Sequence, residues 1–208
     1  MSDKPLQATG DTARVEAISD GILAVAMTLL VLGIRIPESV PLPALPRALF
    51  NLWPQLLAFM VSFLISAFYW VAHHLLFELI ERADRGLLWL NAMFLMLMVL
   101  VPFSTQILSM YAQAQISVII YSANLMAVGI TLSVLWAYAS GGHRLIAPDL
   151  PASWIRLASK RLLVMPLVCL VTIGLSFASV TLSIAVLVAG PILYSLPSPY
   201  TPYYAARP

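Results

Sequence analysis

Apolar runs separated by short polar breaks dominate the chain, and each run is about as long as a helix needs to cross hydrocarbon. A membrane-spanning helix takes roughly 20 residues to cover about 30 Å. Runs of that length lie at about 15–34, 54–77, 87–109 and 114–138. The stretch Leu162–Leu196 is too long for one comfortable span and fits two short helices with a turn inside the residues SFASVTLS. The pattern therefore predicts an all-α integral membrane protein with six transmembrane helices per subunit. It divides the chain into an N-terminal segment 1–13, a six-helix unit 14–196 and a C-terminal tail 197–208.

Composition supports this reading, since 61% of residues are hydrophobic and only 10% are charged. A soluble domain carries about 25% charged residues. The opening residues are polar and mixed in charge, and no convincing small-residue cleavage site follows the first apolar run. A removed signal peptide is not expected. The single Cys169 excludes an intrachain disulfide framework and reads as an inert buried residue.

Lysine and arginine orient the spans. With the N-terminus inside, the internal segments hold Lys4, Arg14, Arg82, Arg85, Arg144, Arg156, Lys160, Arg161 and Arg207, and the external ones hold Arg35 and Arg47. That is nine basic residues against two, a positive-inside bias that puts both termini in the cytoplasm. Membrane orientation thus accounts for the net charge of +2. No zinc-finger spacing or aromatic-basic interleaving points to nucleic acid as a partner.

Asp20 stands at the start of the first apolar run, where an ionisable group is costly unless paired or wetted. Arg14 is a candidate partner less than two turns earlier, and Ser19 and Gly21 flank the carboxylate. Three roles stay open for Asp20: a structural clasp, a place on a conduction route, or interfacial placement favoured by the helix dipole. Further along, Val25, Leu29 and Leu32 share one face at i, i+4 and i+7. Such a stripe is ordinary packing or lipid contact in most helices, and becomes a set of hydrophobic gating rings if copies surround an axis. Thr28 either presents a hydroxyl beside that path or bonds back to the carbonyl of Ala24.

The second run ends in His73-His74. Neighbouring histidines diverge by about 100° on a helix, and His74 with Glu78 supplies only two ligands, so no zinc site is expected. Trp70 and His74 share a face, and Asn91 lies near the same end of the third helix. These residues predict a packing network of His74, Asn91, Asp20 and Ser19 at one membrane depth. Pro102 either bends the third helix or marks its outer end, and Asn124 is a candidate for a bond across a helix interface. No nucleophile with its base and no complete metal set converges, which argues against an enzyme.

Arg14-Val-Glu-Ala-Ile18-Ser19-Asp20-Gly21 with Thr28-Leu-Leu-Val-Leu32 resembles the R-x-x-x-F-S-D signature of the prokaryotic relatives of the endolysosomal TMEM-type potassium channel. Trp70-Val-Ala-His73-His74, Leu90-Asn91 and Val101-Pro-Phe-Ser-Thr105 resemble that family's second and third helices. The resemblance implies a homotetramer with the first helices around a potassium-permeable pore. It assigns the pore and gate positions to Val25, Leu29 and Leu32, with Thr28 facing the pore. Arg14, Ser19, Asp20, Trp70, His74 and Asn91 then form the signature network. Potassium is implied as the permeant species, with no cofactor, and with membrane lipids and further copies of the chain as partners. Ile18 replaces the signature's aromatic residue, and Val25 is smaller than the isoleucine or leucine often found at this constriction.

Overall fold

A computed structural model describes residues 12–36 and 39–194, with side chains as far as 190. The expected segments 1–13 and 197–208 fall almost wholly outside these residues. Every long element is helical. The first, α1 (Thr12–Leu29), runs on through a 3-10 turn at Leu30–Gly33. A short helix, α2 (Leu45–Phe50), follows the proline-rich connection and leads to α3 (Trp53–Phe77). Pro54 sits in the first turn of α3, where its missing N–H costs nothing.

The third span is α4 (Arg85–Val99) and α5 (Val101–Met110), broken at Leu100. Pro102 cannot donate into the preceding turn, so it produces a break inside the span and not its outer end. Next come α6 (Gln115–Ser140), α7 (Ala152–Leu162), α8 (Val164–Ser176) and α9 (Val180–Tyr194). Among the described residues five helical units are long and apolar enough to cross a membrane: Thr12–Gly33, Trp53–Phe77, Arg85–Met110, Gln115–His143 and Ala152–Ser176. A shorter apolar helix covers Val180–Gly190.

One boundary differs from the hydropathy reading. The fifth unit begins at Ala152 and not near Leu162, because α7 carries Arg156, Lys160 and Arg161 on an otherwise helical turn pattern. Long basic side chains reach outward from a helix that continues inward, so hydropathy truncates it. The turn after it spans residues 177–179, inside the expected SFASVTLS.

Helix α6 is the hub. It is largely apolar on every side, as a membrane-spanning helix must be; Tyr121, Leu125, Val128, Leu132 and Leu135 are completely buried, while Ile116, Ile130 and Val134 are exposed. It packs most closely on α8 and α4. Gly129 makes the α8 contact possible, since a Cβ there would stand 2.6 Å from Pro166 Cγ and 2.8 Å from the Tyr69 hydroxyl. That hydroxyl donates to the carbonyl of Leu125 at 2.8 Å, tying α3 to α6. A second buried set joins three helices: Thr105 donates to Ser62 Oγ at 2.9 Å, and Ser62 bonds the Tyr121 hydroxyl at 2.8 Å. Asn124 donates to Ser104 at 3.0 Å, across the α5–α6 interface.

The loops 78–84 and 141–151 are laced together at one end of the bundle. The amide of Glu81 donates to Leu145 at 2.9 Å, and Ile80 pairs with Ile146 in an antiparallel bridge. Asp84 caps α4 by accepting from the Leu87 amide at 2.9 Å, and also accepts from Tyr138 at 2.8 Å and Arg144 at 3.1 Å. Burial pushes its carboxyl up, but the Leu87 amide, the Tyr138 hydroxyl and the Arg144 guanidinium outweigh it and hold the pKa below the ordinary value. This end carries Arg82, Arg85 and Arg144, with Arg156 on the helix that follows, whereas Arg35 and Arg47 lie on the connection at the other end.

Candidate functional site

Helix α1 has two faces of different character. Ser19, Leu23, Ala26 and Leu30 recur at i, i+4, i+7 and i+11 and are buried against α3, α4 and α5. Roughly opposite, by the 100° advance per residue, Val25 is 58% and Leu32 63% exposed, with Leu29 beside them at 39%. Gly21 and Thr28 are exposed on the same side. A shallow apolar groove runs along this side, lined by Ile18, Ile22, Val25, Leu29 and Val99. Of the five long units, the first is the least enclosed: 22% of its apolar window is buried, against 33–44% for the others.

The inward face is held by a directional chain of hydrogen bonds. Ser19 donates to the carbonyl of Val15 at 2.8 Å, so its Oγ is free to accept from Asn91 Nδ2 at 2.9 Å. The amide oxygen of Asn91 then faces His73 Nε2 at 2.9 Å, which makes Nε2 the protonated ring nitrogen. The imidazole is fully buried between Phe77 and Phe94, with ring centroids 4.3 and 5.1 Å away. Its Nδ1 is buried with no hydrogen-bond partner among the described residues. Three helices, α1, α4 and α3, are thus keyed together at one depth.

A second seam lies beside the first. Trp70 Nε1 donates to Asp20 Oδ1 at 2.8 Å, and His74 Nδ1 lies 2.6 Å from Glu16 Oε1. His74 Nε2 is 3.4 Å from Glu78. Asp20 and Glu16 are four apart on α1, and Trp70 and His74 four apart on α3, so two antiparallel helices meet in register. The sequence reading put His74 with Asn91, Asp20 and Ser19; the structure gives the Asn91 position to His73 and pairs His74 with Glu16. Arg14 is exposed and forms no ion pair with Asp20 among the described residues. Glu16 and His73 are the residues that sequence reasoning passed over, and the matched i, i+4 spacing on both helices was the signal for Glu16.

Thr28 is exposed and donates its hydroxyl back to the carbonyl of Val25 at 2.8 Å, an i−3 bond where Ala24 was one of the two alternatives. Among the described residues no three His, Cys, Asp or Glu side chains gather as metal ligands.

These features define a polytopic helical membrane protein whose first helix is locked inward by polar bonds and presents apolar residues outward. The family model described as endosomal/lysosomal potassium channel TMEM175 matches residues 14–102, the part that carries both seams. A potassium channel of Chamaesiphon minutus is 36% identical over 203 residues, covering 95% of this chain and 99% of that protein. A potassium channel of Streptomyces collinus is 34% identical over 179 residues, with 84% and 87% covered. The crystal structure of a lysosomal potassium-selective channel TMEM175 homolog from Chamaesiphon minutus superposes with a TM-score of 0.80 at 35% identity, covering 89% of this chain and 96% of that one. The chain belongs to the TMEM175 family, whose members are channels and not enzymes.

Proposed function

We propose that the chain is the subunit of a passive, potassium-permeable cation channel in a prokaryotic cytoplasmic membrane. Its kinship over nearly full length with a protein named a potassium channel carries this reading. In it six helices span the bilayer within residues 14–196, both termini are cytoplasmic, and four copies place α1 around a common axis. The outward apolar side of α1, and the groove beside it, support an assembly role, since a neighbouring copy would cover them.

Four copies of Leu29 and Leu32 then narrow the axis, with Val25 a weaker constriction because its side chain is shorter. An apolar ring at a narrow axis gates by excluding a continuous water column, and a small tilt or rotation of the helix wets it. Thr28 hydroxyl lone pairs and nearby carbonyls are the polar groups available to a partly dehydrated cation. Such a ring lacks a dense field of carbonyl dipoles, so the preference for potassium is modest. Asp20, Ser19 and Asn91 hold the helix and do not select the ion.

Substitution inside the ring tests this arrangement. Leu29→Ser or Leu32→Asn raises open probability or leak in reconstituted tetramers, because a polar ring lowers the cost of water in the constriction. Thr28→Val alters conductance or the permeability ratio and leaves gating in place. Unchanged currents in both leucine variants, with cysteines at these positions inaccessible from the pore, would remove α1 from the conduction path.

A further inference from the structure

The fifth span offers a surface that the proposed pore does not use. Arg156 and Lys160 are four apart on α7, both exposed, and neither makes an ion pair or side-chain hydrogen bond among the described residues. Helix α7 contains no acidic residue. The same face continues without polar interruption: Leu163, Leu167 and Leu170 follow at helical spacing and are 46%, 58% and 56% exposed. One strip therefore carries two unpaired cations at its head and an apolar track below them.

Its dimensions match one leaflet. From Lys160 to Leu170 the helix advances about 15 Å at 1.5 Å per residue, half of the roughly 30 Å hydrocarbon thickness. The cations also stand toward the bundle end that carries Arg82, Arg85 and Arg144. Cations left unpaired where a helix enters hydrocarbon seek phosphate, and leucines left bare below them seek acyl chains. We infer that this strip of α7 and α8 binds an anionic phospholipid, its phosphate held by Arg156 and Lys160 and one acyl chain lying along Leu163, Leu167 and Leu170.

Native mass spectrometry of the purified protein incubated with equal amounts of phosphatidylglycerol and phosphatidylcholine tests this. The wild-type protein retains phosphatidylglycerol in preference, and inorganic phosphate does not displace it. The Arg156→Gln/Lys160→Gln double variant reduces the preference roughly 25-fold, given what each basic residue contributes at an anionic surface. Arg47→Gln, at the opposite end, leaves it unchanged. Should the double variant fail to fold, Lys160→Gln alone is read, with a loss of about fivefold expected. Equal retention by the wild type and the substituted protein would overturn the inference. So would displacement of the lipid by inorganic phosphate, which would mark a site for free anions. The readout is lipid retention and does not depend on whether the protein conducts ions.

Discussion

Asn91 spends both ends of its amide on holding α1, accepting from His73 and donating to Ser19. Removing it strands the buried Nε2–H of His73 and cuts the link to Ser19, which keeps its bond to Val15, whereas removing Asp20 frees only the partly exposed Trp70, which can find another acceptor. Asn91→Ala is therefore expected to destabilise the folded subunit by about 1–3 kcal/mol, the cost of leaving buried groups unpaired. Asp20→Ala should cost less, about 1 kcal/mol or below, as interhelical hydrogen bonds in membranes commonly do. Thermal unfolding of the two variants in one detergent checks the order, and a larger loss for Asp20→Ala would give the carboxylate a role that its single observed bond does not. Asp84 makes a separate prediction through its lowered pKa. A carboxyl held below its ordinary value stabilises the fold above about pH 3.9 and loses that contribution as pH falls through the lowered pKa. Asp84→Asn should accordingly be less stable than the wild type at neutral pH, with the difference closing as melts are taken toward pH 2.

The helices α6 and α8 approach closely because Gly129 has no side chain, and Pro166 and Tyr69 occupy the space that one would fill. Gly129→Ala should cost about 1–3 kcal/mol by overpacking, seen as a lower melting temperature with helical content retained; an unchanged melt would mean that α8 slides without penalty. Such contacts were not legible in the sequence, because α6 is as apolar on its exposed face as on its buried one and has no amphipathic signature to name its neighbours. The long spans were legible within a few residues, since length and hydropathy alone set them. The start of α7 was not, because hydropathy scores Arg156 and Lys160 as outside the helix while their side chains leave a helical backbone sideways. At the candidate site Ser19, Asp20, Trp70 and Asn91 stood out as polar residues in apolar runs, and the structure joins them through α1, α3 and α4. The choice between His73 and His74 was hidden, since it depends on a rotation of α3 that periodicity places only to within a residue.

At the scale of the molecule, a tightly keyed inner face of α1 and an unmatched outer face suggest a division of labour. Bonds within the subunit set the helix orientation, and contacts between subunits would set the pore. Native mass measurement of a conducting preparation is expected to give a tetramer, and only monomers or dimers would contradict the proposed assembly. The claim that orders all the others is passive conduction of potassium, and planar-bilayer recording of the purified protein under opposed potassium and sodium gradients tests it most directly. Discrete currents are expected, with a reversal potential displaced toward the potassium equilibrium value, without a co-substrate and without saturation at a turnover rate. Folded, reconstituted protein that passes no current, or passes potassium only when a second solute moves with it, would contradict that claim.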